Sequence, residues 1–186
     1  LDALAGVNVH SLAVTDHEAI EALASEINAP LDIVIANAGV MGDKGEAQSF
    51  GTLDYDMWRQ VMEVNVYAAV KTCEAFSDHV AKSALKKIAV ISSRMGSISD
   101  TSGAYTAYRT SKTALNMAIV AAAPGLAESG IAVGIFHPGW VQTEMGGPNA
   151  QISTTECVKG LREQIMALPV TDQPEFLSYS GEVLPW

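Results

Sequence analysis

Three short apolar runs constrain this chain more than any other feature. Residues 31–36 (LDIVIA), 87–91 (KIAVI in the register KKIAVISS) and 131–136 (IAVGIF) are too short for buried helices. Each ends on small or polar residues: Asn37-Ala38-Gly39, Ser92-Ser93 and, after His137, Pro138-Gly139. Largely apolar runs of this length suit strands buried on both faces, the habit of parallel sheets. Parallel neighbours need a crossover between them, and helical spacing fills the gaps. Thr15-x-x-Glu18 is a capping-box pattern opening a helix to about Ile27, and Ser153-x-x-Glu156 opens another to about Leu168. Over residues 53–79 the apolar Met57, Val61, Val64, Ala68 and Ala69 recur at helical spacing, with Thr52 as the cap. Residues 107–129 form a further helix, in which Pro124-Gly125 predicts a kink or an early end.

Residues 1–5 read as a helix end stopped by Gly6, residues 7–14 as a strand, and residues 175–178 as a short final strand. Residues 41–51 form a mostly polar loop, and residues 142–152, which contain Gly and Pro, a candidate lid. The alternation predicts an α/β fold: one domain over residues 1–186 with a doubly wound parallel sheet covered on both sides.

A chain of 186 residues with 48% hydrophobic content and a mean hydropathy of +0.18 has enough apolar material for a sizeable core. No apolar run reaches the ~18 residues of a membrane span. The formal charge of −10 and pI near 4.7 argue against nucleic acid or anionic membrane as partners, because both select basic patches. Cys73 and Cys157 form no Cys-x-x-Cys, so buried thiols in a reducing, cytoplasmic setting are expected, with no structural disulfide and no metal site. The chain opens on Leu1 with no signal-peptide pattern, and reads as the middle of a longer sequence.

Chemistry concentrates between Ser92-Ser93 and Tyr108-Arg-Thr-Ser-Lys112. Four residues apart on a helix, Tyr108 and Lys112 share a face. An ammonium beside a phenol favours the phenolate, which would bring proton exchange nearer neutral pH. Ser93, if the intervening loop folds over the same spot, can donate to a carbonyl oxygen. A second such pair, Tyr67-x-x-x-Lys71, lies inside a long apolar helix with no strand-end serine before it and reads as helix packing. In open sheets ligands sit beyond the carboxyl ends of the strands, where Val14-Thr15-Asp16, Asn37-Ala38-Gly39, Ser92-Ser93 and Pro138-Gly139 all fall.

The stretches LAVTD, LDIVIANAGV, EVNVY, ISSRMGSIS, AYRTSK, HPGWVQTEMGG and GEVLPW together resemble the short-chain dehydrogenase/reductase family, most closely its branch of small carbonyl reductases that includes the C-factor-like proteins. The resemblance implies hydride transfer between NAD or NADP, with NADPH the favoured form, and a small carbonyl or alcohol substrate. It implies that Tyr108 is the acid/base, that Lys112 lowers its pKa and holds the nicotinamide ribose, and that Ser93 polarises the carbonyl. Asn65 would hold a water linking Lys112 to solvent. Val14, Asn37, Ala38 and Gly39 would line the cofactor site, and Pro138, Gly139, Val141 and Thr143 would hold the nicotinamide amide; Thr143 read alone suits a loop cap.

Departures from the family pattern shape the alternatives. The glycine-rich turn that seats a pyrophosphate at a helix N-terminus is not in this sequence, nor are the family's first two strands. Those strands would lie between residues 7–14 and 31–36, so exposed edges are expected. Ala13 replaces an aspartate that many relatives place near the adenine. A homodimer or homotetramer is implied, with Pro124-Gly125 in a helix that family dimers pack against. The alternative to an enzyme is a non-catalytic remnant or binding scaffold of the same fold.

Overall fold

The computed structural model describes residues 5–43 and 45–186. The three apolar runs become adjacent parallel strands, joined by a fourth: β1 Ile33–Ala36, β2 Lys87–Ile91, β3 Ala132–His137 and β4 Phe176–Ser178, in that order across the sheet. Ile33 pairs with Lys87, Lys87 with Ala132, and Ile135 with Phe176, so all carboxyl ends meet at one rim. All of β2 and the first five residues of β3 are buried, which is what their apolar composition requires of central strands.

One face of the sheet packs against three helices: α1 His17–Glu26 and, described below, α3 Ala68–Ala81 and α4 Thr106–Glu128. Val34, Ile88, Val90, Val133 and Ile135 meet Ile20, Phe76, Val80, Leu115 and Ile119 there. On the other face Ala89, Ile91 and Phe136 pack against Leu161 and Ile165 of α5 Thr154–Ala167. Full burial of a side chain such as Phe136 or Ile135 stabilises the fold by ~2–3 kcal/mol. Coverage is uneven. Ile35 is 51% exposed, because α5 lies over β2 rather than over β1.

The strand expected at residues 7–14 is absent: among the described residues, 7–13 join no ladder, and Val7 and Val9 are exposed. A lone extended segment gains no inter-strand hydrogen bonds and leaves its backbone to water, so alternation of side chains alone does not make it a strand. The expected exposed edge is there, at β1. The helix end read over residues 1–5 lies outside the described residues except for Ala5, which joins Gly6 in a turn.

Caps differ in two places from the sequence reading. Asp16, not Thr15, caps α1 by accepting from Ala19 N at 3.0 Å. Asp54, not Thr52, caps α2 Tyr55–Met62, accepting from Asp56 N and Met57 N, while the Thr52 hydroxyl donates to Glu46 O. Ser153 caps α5 as expected, accepting from Glu156 N at 3.1 Å.

The single helix expected over residues 53–79 is three pieces: α2, a π-helical turn Glu63–Tyr67, and α3 Ala68–Ala81. Val61, Val64 and Ala68 keep three- and four-residue spacing across the π turn, so the sequence reads as one continuous helix, although the residues buried there are Asn65 and Val66. In the opposite direction, α4 runs unbroken through Pro124. Pro124 and Gly125 lie on its exposed side, while Leu115, Ile119 and Ala123 stay buried on the other, and that packing outweighs the lost backbone bond. Residues 142–152 are internally tied: Gln142 N donates to Ile152 O, Ile152 N to Trp140 O, and Trp140 Nε1 to Gly146 O.

Candidate active site

At the sheet rim, Ser93 lies two residues beyond β2 with extended backbone, and its hydroxyl accepts from Met95 N at 3.2 Å, opening a 3-10 turn Arg94–Gly96. Gly96 is the pivot of this turn. A Cβ there would stand 2.9 Å from the backbone carbon and the Cβ of Lys112, so only glycine lets the loop press onto α4. Thr113 Oγ1 donates to Gly96 O at 2.9 Å and fastens the contact. As a result Ser93 lies beside the Tyr108 phenol, close enough to act on its proton affinity, and the two residues are 9% and 6% exposed.

Lys112, one turn along α4, is 3% exposed; its Nζ donates to Ile91 O at 2.9 Å and lies 5.9 Å from the centre of the Tyr108 ring. Burial pushes its pKa down to about 8. The Tyr108 phenol moves the other way from the sequence expectation. Burial raises its pKa and the neighbouring Ser93 hydroxyl only partly reverses this. Desolvation disfavours the phenolate more than the surroundings stabilise it, since Lys112 directs its ammonium at a carbonyl rather than at the phenol oxygen.

Asn65 sits in the π turn and is fully buried. Its Oδ1 accepts from Val40 N and its Nδ2 donates to Val40 O, both at 2.8 Å, and Nδ2 also donates to Ser111 Oγ, which itself donates to Tyr108 O. A π turn at such a position is common at functional sites, because the extra residue aims a side chain inward. Asn65 thus clamps the segment after β1 to the first turns of α4. Gly39 lies inside the same cluster: a Cβ on it would be 3.4 Å from Asn65 Oδ1 and from Lys112 Nζ.

The remaining expected residues are placed as follows. Asn37 and Ala38 are exposed at the rim beside Gly39. Gly139 has φ +85°, and a Cβ there would meet Ile152 Cδ1 at 2.6 Å, so Pro138-Gly139 turns tightly under the 142–152 loop. Val141 bridges to Ile152, and Thr143 is an exposed turn cap whose Oγ1 accepts from Gly146 N. Val14 is half-buried in the turn before α1, and no hydrogen bond of the cluster involves it. The second tyrosine–lysine pair is not a site: Tyr67 is 51% exposed and Lys71 is paired with Glu21 of α1.

Three contributors were not singled out from sequence. Gly96 carries the signal of a glycine just after a strand end. His137, at the end of β3, is pushed down to about 4 by burial and by the nearby Arg94 charge, against Glu182; Arg94 itself is paired with Glu182 at 2.9 Å. Gln48, from the polar loop, reaches Tyr108 N.

The profile described as short chain dehydrogenase matches residues 4–152. C-signal of Myxococcus xanthus is 35% identical over 158 residues, covering 84% of this chain and 93% of the relative. The 1-hydroxy-2-glutathionyl-2-methyl-3-butene dehydrogenase of Rhodococcus sp. (strain AD45) is 34% identical, covering 99% of this chain and 83% of that one. Among solved structures, the NADPH-bound carbonyl reductase from chicken fatty liver superposes with a TM-score of 0.84 at 31% identity, over 94% of this chain and 75% of that one. A parallel α/β sheet, a family match over residues 4–152 and relatives more than 30% identical over most of its length make this chain a member of the short chain dehydrogenase family.

Proposed function

We propose that this oxidoreductase-family chain interconverts a small carbonyl compound and its alcohol, with Tyr108 as the acid/base. The observation that carries the reading is the convergence of the Ser93 hydroxyl, the Tyr108 phenol and the Lys112 ammonium in one buried cluster. A carbonyl oxygen seated between Ser93 and Tyr108 accepts two hydrogen bonds, and these strengthen as the oxygen gains charge. Tyr108 then gives its proton to that oxygen as negative charge develops on it.

The residues fit the nicotinamide-ribose half of a dinucleotide. Lys112 Nζ has three protons and one protein carbonyl acceptor, and Gly39 leaves its approach open, so ribose hydroxyls suit it. Asn37, Ala38, Gly39, Pro138, Gly139, Val141 and Thr143 would hold that half from the rim. When bound, NADPH or NADH supplies the hydride. For the pyrophosphate half this sequence has no glycine-rich turn. Asn65 would keep Lys112 and Tyr108 in register through Val40 and Ser111.

Oxidation of NADPH by simple aldehydes and ketones, followed at 340 nm, tests the reading. Tyr108→Phe is expected to fold normally and to lose about 10²-fold or more of the turnover; wild-type activity in that variant would refute the assignment.

A second reading, a non-catalytic binding scaffold of the same fold, is favoured by the free edge of β1, which no strand among the described residues pairs. Fluorescence titration with NADH and NADPH separates the two, since saturable binding counts against the scaffold. The homodimer or homotetramer is proposed through the outer face of α2 and α4, where Tyr55, Trp58, Met62 and Tyr67 line an open apolar groove. A reducing, cytoplasmic setting suits the buried free thiols of Cys73 and Cys157.

A further inference from the structure

Helix α4 begins in an unusual way. Ala104 and Tyr105 are consecutive non-glycine residues with left-handed backbone, φ 56° and 53°, and Tyr105 occupies the capping position without offering a side-chain acceptor. First-turn N–H groups have no intrahelical partner, so a buried helix start needs an acceptor from elsewhere. Tyr108 lies in that first turn. Its N–H donates to Oε1 of Gln48 at 3.1 Å, across 60 residues of sequence.

Gln48 is itself completely buried, although the loop around it is polar. Its Nε2 donates to Met41 O at 2.9 Å and to Asp43 O at 2.7 Å. One amide therefore satisfies three backbone groups, joining the segment that follows Asn37-Ala38-Gly39 to the backbone of Tyr108. Around it, Arg109 Nε donates to Gly103 O and Ala104 O, holding the left-handed pair from the other side. A buried glutamine with both ends used is costly to build and does one thing that packing cannot: it fixes a direction.

We propose that Gln48 is a positioning residue for Tyr108, a reading that rests on the reductase function above. It supplies the missing helix cap and sets the height of the Tyr108 phenol over Ser93, while tying that height to the 41–43 loop on the cofactor side of the rim. A phenol displaced by a fraction of an ångström still folds and still binds, but transfers its proton less well.

Two variants of the full chain test this. Gln48→Met keeps the length and removes all three bonds; Gln48→Glu keeps an acceptor toward Tyr108 N–H and removes both donors to the loop. Gln48→Met is expected to lower kcat by about tenfold or more with KM for the aldehyde unchanged, to displace the acidic-group limb of the pH–rate profile, and to speed exchange of the Tyr108 amide proton. Gln48→Glu should keep that amide protected and lose less of kcat. A merely structural glutamine would lower the unfolding midpoint and leave kcat and the pH profile as in wild type, which would overturn the proposal. If Gln48→Met does not fold, Gln48→Glu and wild-type exchange decide: a Tyr108 amide that exchanges as fast as an exposed helix start in the wild-type protein overturns it as well. Tyr108→Phe run alongside separates the two levels, because retained turnover there removes the reductase reading while the exchange data still judge the Gln48 contact.

Discussion

Lys112 makes the sharpest prediction, because the same burial that suits it to the site works against the fold. Its pKa falls from 10.5 to about 8 on burial, with no carboxylate to offset the desolvation. At neutral pH that fall corresponds to ~3 kcal/mol by which the charged side chain destabilises the folded state. Replacing it with the similarly shaped Met removes this penalty and also the hydrogen bond to Ile91 O, which is worth ~1 kcal/mol. The net expectation for Lys112→Met is a gain of ~2 kcal/mol at pH 7, equivalent to a Tm higher by ~5 °C for a chain of this length, together with loss of turnover. The pH dependence gives an independent check. The folded form releases the Lys112 proton at lower pH than the unfolded form, so between about pH 8 and 10.5 the unfolded chain binds more protons and wild-type stability rises with pH relative to the variant. The advantage of Lys112→Met is therefore greatest below pH 8 and shrinks above it. Urea unfolding of both proteins at pH 7, 8.5 and 9.5 measures this difference directly. A variant less stable than wild type at pH 7, or an advantage that does not change with pH, would refute the reasoning that desolvation dominates at this lysine.

Other perturbations follow from the same geometry. His137, ordinarily near 6.5 and here about 4, stays neutral in the fold. Protonation in the unfolded chain should lower stability as pH falls from 6.5 toward 4, by up to ~3 kcal/mol; in His137→Gln, acid unfolding curves should lose that component. Gly96→Ala places a methyl 2.9 Å from the Lys112 backbone. It should cost ~1–3 kcal/mol of stability and, by lifting Ser93 away from Tyr108, reduce kcat by more than the loss in unfolding midpoint explains; equal and wild-type kcat would contradict the role of this close approach.

What the sequence discloses here, and what it withholds, divides along a physical line. β2 and β3 are legible because a central parallel strand must be apolar on both faces, and that demand is written in consecutive residues; β1 and β4, outermost among the described strands, are legible only as short runs bounded by polar and turn residues. Residues 7–14 show a similar pattern and are not a strand, because a strand also needs a neighbour, and no local pattern records whether one is present. Ser93, Tyr108 and Lys112 are legible because a hydroxyl at a strand end and a tyrosine at a helix start are local features, and the topology of a parallel sheet brings such ends to one rim. Their electrostatics are not. An ammonium four residues along a helix argues for an acidified phenol, yet how deeply both groups are buried and where the ammonium points are properties of the folded interior, and there desolvation sets the direction. Gln48 is the extreme case: composition marks its loop as solvent-facing, and only tertiary contacts turn its amide into the cap of a helix 60 residues away. Chemistry-bearing side chains can thus be found from the string, whereas the groups that aim them and set their proton affinities emerge only when the backbone hydrogen bonds of the rim are counted one by one.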